Sequence, residues 1–203
     1  MKKKNSTAQR KKVKFDNKHL NDPKIKKVYL TFKKQLYSQI KNEKFCIGVS
    51  GGPDSLALAF LCKIFSKEFN SKFIALIIDH NLRKQSATEA QKVKIILTKH
   101  KIRAKILTWK GKIPKSNIQF NARNIRYFLL KKECNKLNIK NLVLAHHEGD
   151  LIENFFIRLF RGSGLKGLSS LNIKRHSEDN ILNLIRPLIN TKKDELIYIS
   201  KKI

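Results

Sequence analysis

Short, continuous apolar runs recur along the chain, separated by longer segments whose apolar residues have helical spacing. The runs are Phe45–Val49, Phe73–Ile78, Ala104–Trp109, Asn141–Ala145 and Ile181–Ile185. Runs without polar alternation are typical of strands that are buried on both faces of a parallel sheet. The pattern therefore predicts an α/β fold, with an open, mostly parallel sheet that has helices on both faces.

Two of the helical segments begin with recognisable capping residues. Asp22 is suited to an N-cap and Pro23 to the first turn, and the helix that they open has an apolar stripe extending to Ile40. Ser86 and Glu89 have the spacing of a capping box at the start of a helix after the second run. Both helices are expected to pack on the sheet.

Two later helices have one apolar and one polar face. A long helix up to about Leu137 is expected to bury Ile118, Ala122, Ile125, Phe128 and Leu129. The helix after Asp150 is expected to bury Ile152, Phe155, Phe156 and Leu159. Residues 162–179 are predicted to be loop. Thr191 is expected to cap a last helix that is still running at Ile203, as in a truncated chain.

The chain is strongly basic. Its 203 residues include 45 Lys and Arg against 15 Asp and Glu, for a net charge of +30. Such an excess favours a polyanionic partner, most simply nucleic acid, although a genome rich in A and T would also enrich lysine. Residues 1–21 are predicted to be a basic flexible arm, which either contacts RNA or only aids solubility. Residues 22–203 are predicted to form one domain.

The sequence also predicts the compartment. Cys46, Cys62 and Cys134 are odd in number and widely spaced, which favours reduced thiols. No apolar run is long enough to span a membrane, and the lysine-rich start lacks the apolar stretch of a secretory signal. We therefore expect a cytoplasmic protein without a membrane partner.

The segment from Ser50 to Ser55 is the strongest candidate for chemistry. It reads Ser-Gly-Gly-Pro-Asp-Ser and joins the first predicted strand to a helix. Gly51 and Gly52 let the backbone approach a ligand closely, and the N–H groups of the first helical turn suit a phosphate. Asp54 would repel an anion unless a divalent cation lay between them, so the segment indicates a nucleotide with Mg²⁺. The alternative is an ordinary helix cap after a glycine turn.

Polar residues also end the second and fourth predicted strands. Asp79 and His80 follow one strand, and His146–Asp150 follows the other. Because parallel strands end at one edge of a sheet, where open α/β folds bind ligands, these groups are expected to meet the glycine segment. Asp150 and Glu153 project together near the start of a helix. Adjacent histidines without a thiol do not have the spacing of a zinc site.

Arg123 and Arg126 add positive charge to the polar face of the long helix. They lie one turn apart, and arginine is suited to bidentate contacts with phosphate. Two arginines on a helix more often form a solvated face, so the residues alone leave both interpretations open.

The glycine segment resembles the pyrophosphate-binding loop of the ATP pyrophosphatases, which cleave ATP between its α- and β-phosphates. It lacks the Gly-Lys-Ser/Thr of a Walker loop. Further segments resemble, in the same order, the N-terminal catalytic domain of the tRNA(Ile)-lysidine synthase family: Asp79–Arg83, Ala122–Tyr127, Ala145–His147, Glu153–Phe155, Arg158–Leu168 and Arg186–Leu188. The resemblance spans about Phe45 to Lys193, and it implies a Rossmann-like sheet of the adenine nucleotide alpha hydrolase type.

The resemblance implies a tRNA-modifying ligase. Such an enzyme uses ATP with Mg²⁺ to adenylate the C2 oxygen of the wobble cytidine in a minor tRNA(Ile) with a CAU anticodon. It then attaches free L-lysine and releases AMP and pyrophosphate. Together with the residues themselves, the resemblance implies these roles: catalysis by Asp54, Asp150, Arg123 and Arg126; Mg²⁺ binding by Asp54 and Asp150; ATP binding by Ser50, Gly51, Gly52, Pro53, Asp54, Ser55, Asp79 and His80; lysine binding by Asp150 and Glu153.

One position departs from the family pattern. Two acids usually follow the paired histidines, and here Gly149 replaces the first and leaves Asp150, which places one metal or substrate contact in question. The C-terminal domains that help the family hold tRNA are expected to be absent, and the sequence leaves open whether a homodimer forms. Two other interpretations are a tRNA 2-thiolation enzyme, which the absence of Cys-x-x-Cys disfavours, and a non-catalytic RNA-binding remnant.

Overall fold

The protein is described by a computed structural model that covers residues 18–83, 85–112, 116–160, 174–176 and 182–202. In chain order these residues form a 3-10 helix (Lys18–Asn21), α1 (Pro23–Ile40), β1 (Phe45–Val49), α2 (Pro53–Phe69), β2 (Phe73–Asp79), α3 (Ser86–Lys99), β3 (Ala104–Thr108), α4 (Ile118–Lys136), β4 (Asn141–Val143), α5 (Glu148–Phe160), β5 (Lys174–His176), β6 (Asn183–Ile185) and α6 (Lys193–Lys201). Each predicted strand is therefore present, with ends that shift by one or two residues.

The strands form one sheet in the order β3-β2-β1-β4-β6-β5. β1 pairs in parallel with β2 and with β4, so that Phe45 lies opposite both Phe73 and Asn141. β3 and β6 continue the parallel sheet outward, and β5 runs antiparallel to β6 at one edge. β2 and β3 lie on one side of β1, and the later strands β4, β6 and β5 lie on the other. This reversal of strand order creates a topological switch point between β1 and β4.

Helices cover both faces of the sheet, as the sequence predicted. Alternate residues of β1 point to opposite faces because the side chains of a strand alternate. Phe45, Ile47 and Val49 join a core with side chains of α1, α2, α3 and α6. Cys46 joins a second core, in which α4 contributes Leu130 and Cys134 among others. The predicted α/β class with a mostly parallel sheet is therefore confirmed.

The first helix follows its prediction closely. Its stripe is buried from Ile25 to Ile40, and the carboxylate of Asp22 caps it by accepting hydrogen bonds from the N–H groups of Lys24 and Ile25, at 2.9 and 3.3 Å. The same carboxylate accepts a hydrogen bond from the Tyr198 hydroxyl at 2.6 Å. Because Tyr198 belongs to α6, this contact ties the last described helix to the start of the first.

Two predicted helix caps are wrong. Ser86 is the first residue of α3 rather than its cap, and its buried hydroxyl has no hydrogen-bond partner among the described residues. The carboxylate of Glu89 instead faces Arg83, with Oε2 of the glutamate 3.7 Å from Nη2 of the arginine. Thr191 also precedes the true cap, since α6 begins after Lys192, whose N–H donates to the carboxylate of Glu195. A shift of one residue moves each hydroxyl out of reach of the helix N–H groups.

The predicted burial of Ile152, Phe155 and Phe156 on α5 is also wrong, and the side chain of Leu159, the fourth residue of that stripe, lies outside the described part of the structure. Ile152, Phe155 and Phe156 are 52%, 42% and 47% exposed, and no side chain of this helix belongs to either core within the described residues. On α4, Ile118 and Phe128 are exposed while Ile125 and Leu130 are buried. Helical periodicity identifies an apolar face, but it does not say whether another element covers that face.

Two further expectations need adjustment. The predicted loop from 162 to 179 contains the short strand β5, and its other residues lie outside the described part of the chain. The predicted flexible arm ends too late, because residues 18–21 form a helical turn in which the His19 ring packs edge-on against Phe60. Residues 1–17 are outside the described residues. Among the described helices, none has the length and apolarity needed to cross a membrane.

The packing of α1 gives a matched test of the core. Leu36 is 0% exposed and Leu30 is 48% exposed on the same helix. Leu36→Ala leaves a cavity and is expected to lower the free energy of unfolding by about 2–5 kcal/mol. Leu30→Ala is expected to change it by about 0.5 kcal/mol or less. Urea unfolding followed by circular dichroism measures both, and equal losses would show that α1 does not pack as described.

Candidate functional site

A cavity of about 600 Å³ lies at the carboxyl ends of the central strands. The loops after β1, β2 and β4 supply part of its lining, and α3, α4 and α5 supply the rest. Its polar lining includes Ser50, Asp54, Ser55, His80, Arg83, Glu89, Arg123, Arg126, His146, Asp150 and Glu153. The parallel sheet thus brings together residues that lie up to about half the chain apart in sequence, at the edge where the sequence predicted a site.

The glycine segment forms a tight turn that its own serine organises. The buried hydroxyl of Ser55 accepts hydrogen bonds from the backbone N–H groups of Ser50 and Gly51, at 3.2 and 3.1 Å, and donates to the Gly52 carbonyl at 2.9 Å. Ser55 also lines the cavity, and its predicted contact with ATP stays a prediction. Among the described residues no side chain caps the first turn of α2, so the N–H groups there remain available to an anion.

Gly51 is the residue on which this turn depends. Its φ of +91° is a conformation that residues with a side chain rarely adopt, and a Cβ there would lie 2.5 Å from Val93 Cγ2 of α3. The glycine therefore lets the loop close against α3. Gly52 has no such contact, since a Cβ at that position would come no nearer than 3.8 Å to Ser50 Oγ.

Two carboxylates meet at one imidazole on the acidic side of the cavity. Nε2 of His147 lies 3.7 Å from Asp54 Oδ2 and 3.9 Å from Asp150 Oδ2. Asp54 lies in the first turn of α2 and Asp150 in the first turn of α5, so the start of each helix supplies one carboxylate. The Asp150 carboxylate also accepts a hydrogen bond from the His147 backbone N–H at 2.8 Å. Glu153 lines the cavity one turn further along α5.

The cavity also has basic lining residues. Arg123 and Arg126 both line it from α4. Burial lowers the pKa of His146 to about 4, and nearby Arg186 adds to the shift. Asp150 opposes it, and the two α4 arginines each add a smaller effect that lowers the pKa further. Burial and the charge of Arg126 also lower the pKa of His80. Both rings are therefore neutral at neutral pH, and the arginines carry the positive charge of this part of the lining.

Arg186 is a residue that the site prediction did not include. It is 2% exposed, and its Nε donates to Nδ1 of His146 at 3.3 Å. This contact fixes the ring so that Nδ1 accepts and Nε2 carries the proton. The sequence signal for it was the Arg-Pro-Leu segment after the last strand, to which no role had been assigned.

The cavity does not take in every predicted ATP-binding residue. Asp79 is 4% exposed, and its carboxylate accepts a hydrogen bond from the Asn81 N–H at 2.9 Å instead of facing the cavity. Gly51, Gly52 and Pro53 shape the turn but are not part of the lining. Asp79 therefore acts as a brace for the loop after β2, and His80 is the residue of that loop whose ring reaches the cavity.

Apolar residues complete the lining. Val49, Ile77, Ile78 and Leu82 come from the ends of β1 and β2 and from the loop after β2. Leu130 of α4, Ile157 of α5 and, after β4, Leu144 and Ala145 also line the cavity. The cavity therefore offers apolar contacts for a flat ring as well as charged groups for phosphates and a cation.

Comparison with known proteins covers most of this domain. A family model for the PP-loop domain matches residues 25–203. The tRNA(Ile)-lysidine synthase of Orientia tsutsugamushi (strain Boryong) is 44% identical over 156 residues, which are 77% of this chain and 35% of that protein. The tRNA(Ile)-lysidine synthase of Rickettsia bellii (strain OSU 85-389) is 42% identical over 154 residues, 76% of this chain and 35% of that protein. The chain thus spans about a third of the length of these curated relatives.

Solved structures share the fold at lower identity. The U34-tRNA thiolase NcsA from Methanococcus maripaludis, with its 4Fe–4S cluster, has a TM-score of 0.76 at 21% identity, covering 89% of this chain and 64% of that one. The NH3-dependent NAD synthetase from Campylobacter jejuni has a TM-score of 0.52 at 16% identity, covering 89% of this chain and 72% of that one. These likenesses concern the fold alone. Since the family match extends over almost the whole described domain, the chain belongs to the PP-loop family of ATP pyrophosphatases, as residues 50–55 predicted.

Proposed function

We propose that this domain carries out the chemistry of a tRNA(Ile)-lysidine synthase, with ATP, free L-lysine and the wobble cytidine of a minor tRNA(Ile) with a CAU anticodon as substrates. The observation that carries the proposal is the single cavity in which the glycine loop, two arginines and the acids of α5 come together. Relatives of that name, 41–44% identical over about three quarters of this chain, support the choice of substrates.

The first half of the reaction activates the cytidine. Its C2 oxygen attacks the α-phosphorus of ATP, a P–O bond forms, and pyrophosphate leaves with the electrons of the broken P–O bond. The uncapped N–H groups at the start of α2 are suited to hold the pyrophosphate. Arg123 and Arg126 face the same cavity and are suited to hold the α-phosphate. The product of this half is a cytidine adenylated on O2.

Magnesium fits the acidic side of the cavity. Asp54 Oδ1 is buried without a hydrogen-bond partner among the described residues, and the Asp54 and Asp150 carboxylates approach the same imidazole. The described residues contain no group of three or more His, Cys, Asp or Glu able to hold a metal. Two carboxylates without further protein ligands suit Mg²⁺, which binds one or two carboxylates together with substrate phosphates. When bound, the ion would offset phosphate charge that Asp54 otherwise repels.

The second half of the reaction attaches lysine. The ε-amine attacks C2, a C–N bond forms, and AMP leaves with the electrons of the broken C–O bond. Asp150 and Glu153 lie one turn apart on α5 and line the cavity, and we expect them to bind the free lysine. The attacking amine must first lose a proton. His146, with a pKa of about 4, is too weak a base for this at neutral pH.

The overall charge fits an RNA substrate. A net charge of +30 over 203 residues would attract a tRNA from solution and would make binding dependent on salt. The tRNA and the free lysine both place the reaction in the cytoplasm. The roles of the basic arm and of a homodimer stay predictions.

The cysteines weigh against the thiolation alternative. A 2-thiolation enzyme needs thiols or an iron–sulfur cluster to carry sulfur. Cys46, Cys62 and Cys134 are the chain's three cysteines, all are buried, and none is among the described residues that line the cavity. The shared fold of the thiolase therefore gives no support for shared chemistry.

Lysine incorporation into tRNA tests the proposal directly. We expect this chain, with ATP and Mg²⁺, to transfer radiolabelled lysine to a tRNA(Ile) transcript with a CAU anticodon. A transcript with uridine in place of the wobble cytidine should accept none, because uridine has a C4 carbonyl and lacks the C4 amino group that donates electrons through N3 to the C2 oxygen of cytidine. Mass spectrometry of the digested nucleoside should show an added lysine residue. Added sulfur, or tRNA binding without any transfer, would contradict the proposal.

Asp54→Asn tests the acidic side of the cavity. Removing its charge is expected to slow tRNA-dependent ATP–pyrophosphate exchange by about 100-fold or more, since the side chain would no longer bind the cation that accompanies the phosphates. The melting temperature should not fall, because Asp54 Oδ1 has no described hydrogen bond to lose. Asp194→Asn, an exposed acid in the first turn of α6, is the matched control and should exchange normally. Normal exchange by Asp54→Asn would rule out its assigned role.

A further inference from the structure

His147 has one ring nitrogen fixed by a backbone contact. The ring is 7% exposed, and its Nδ1 accepts a hydrogen bond from the Gly149 N–H at 3.0 Å. A nitrogen that accepts this bond carries no proton, so the neutral ring carries its proton on Nε2. Nε2 is the nitrogen that faces the Asp54 and Asp150 carboxylates, at 3.7 and 3.9 Å. The backbone of α5 thus selects the form of the ring that presents an N–H to both acids.

The missing side chain of Gly149 makes room for that ring. A Cβ at this position would lie 2.8 Å from Cε1 and 3.1 Å from Nδ1 of His147. The first distance is shorter than real Cβ contacts, so a side chain here would require the ring to move. A buried ring has little free space into which it can move. In this chain, then, position 149 is coupled to the orientation of His147 and does not merely lack an acid.

We propose that His147 is a positioning residue that holds the carboxylates of Asp54 and Asp150 beside each other, and that it requires glycine at position 149 to do so. Two carboxylates on neighbouring helix starts repel each other, and an N–H directed between them reduces that repulsion. At 3.7 and 3.9 Å the contact is electrostatic and longer than a hydrogen bond. The inference rests on the proposed function only in that the paired acids receive Mg²⁺ with a nucleotide.

The proposal reverses a simple expectation about Gly149. If the glycine were only a lost acid, Gly149→Asp would restore a ligand and strengthen metal-dependent binding. If the glycine is needed for the position of His147, Gly149→Asp should weaken metal-dependent binding. Gly149→Ala should weaken it as well, because the clash comes from the Cβ and not from the charge.

Calorimetric binding of α,β-methylene-ATP, with Mg²⁺ and with EDTA, provides the test. The ratio of the two dissociation constants gives the affinity that the metal adds. His147→Asn places no donor at the position of Nε2 and is expected to reduce this ratio about tenfold or more. His147→Gln can place its amide nitrogen there and is expected to retain most of it. Gly149→Ala and Gly149→Asp should resemble His147→Asn, whereas Glu148→Ala, the adjacent position on α5, should resemble the wild type.

Each outcome bears on one of the two proposals. An unchanged metal-dependent ratio in His147→Asn and Gly149→Ala, or a larger ratio in Gly149→Asp, would overturn the role of His147 and leave the nucleotide site intact. If the wild type itself gained no affinity from Mg²⁺, the proposed site would fail, and this inference would fail with it. Alanine has a higher helix propensity than glycine, so Gly149→Ala is expected to stay folded. This variant therefore still tests the proposal if His147→Asn unfolds.

Discussion

Parallel pairing of β1 with both of its neighbours is the constraint on which the rest of this structure depends. Because β2 and β4 run in the same direction as β1, the chain leaves all three strands at one edge of the sheet. The glycine loop, the His80 loop and the start of α5 therefore meet there although they are distant in sequence. The burial of β1 on both faces keeps this edge rigid, since Phe45 and Cys46 belong to different cores.

The cavity at that edge contains charges of both signs. Asp54, Asp150 and Glu153 line it together with Arg123 and Arg126, and Arg126 acts on the two neutral histidines, His80 and His146. A nucleotide needs both charges, because its phosphates require cations and its metal requires carboxylates. The neutral rings matter to this arrangement, since burial beside arginines keeps them from adding further positive charge.

The sequence predicted most of this architecture because the strongest signals were local. Continuous apolar runs are sufficient to place buried strands, and the stripe of α1 from Ile25 to Ile40 is buried as expected. The order of polar strand ends was sufficient to predict that Asp54, His80 and Asp150 would face one cavity. Each of these inferences needed only periodicity or the geometry of a parallel sheet.

The features that the sequence did not predict depend either on the hydrogen bonds of single atoms or on whether another element covers an apolar face. Asp79 and Ser55 have the residue types of ligands, but their side chains bind their own loops at distances that only coordinates reveal. The apolar face of α5 has the periodicity of a core helix and is exposed in the described structure. The contact between Gly149 and the ring of His147 involves a hydrogen bond and an absent Cβ, neither of which leaves a pattern.

The central claim is that a metal-bound nucleotide lies at the switch point between β1 and β4. A crystal structure with α,β-methylene-ATP and Mn²⁺, measured at a wavelength where manganese scatters anomalously, tests it most directly. The account predicts an anomalous peak beside the carboxylates of Asp54 and Asp150, with the phosphates on the turn from Ser50 to Ser55. Phosphates bound elsewhere on this basic protein, or a metal site away from both acids, would contradict it.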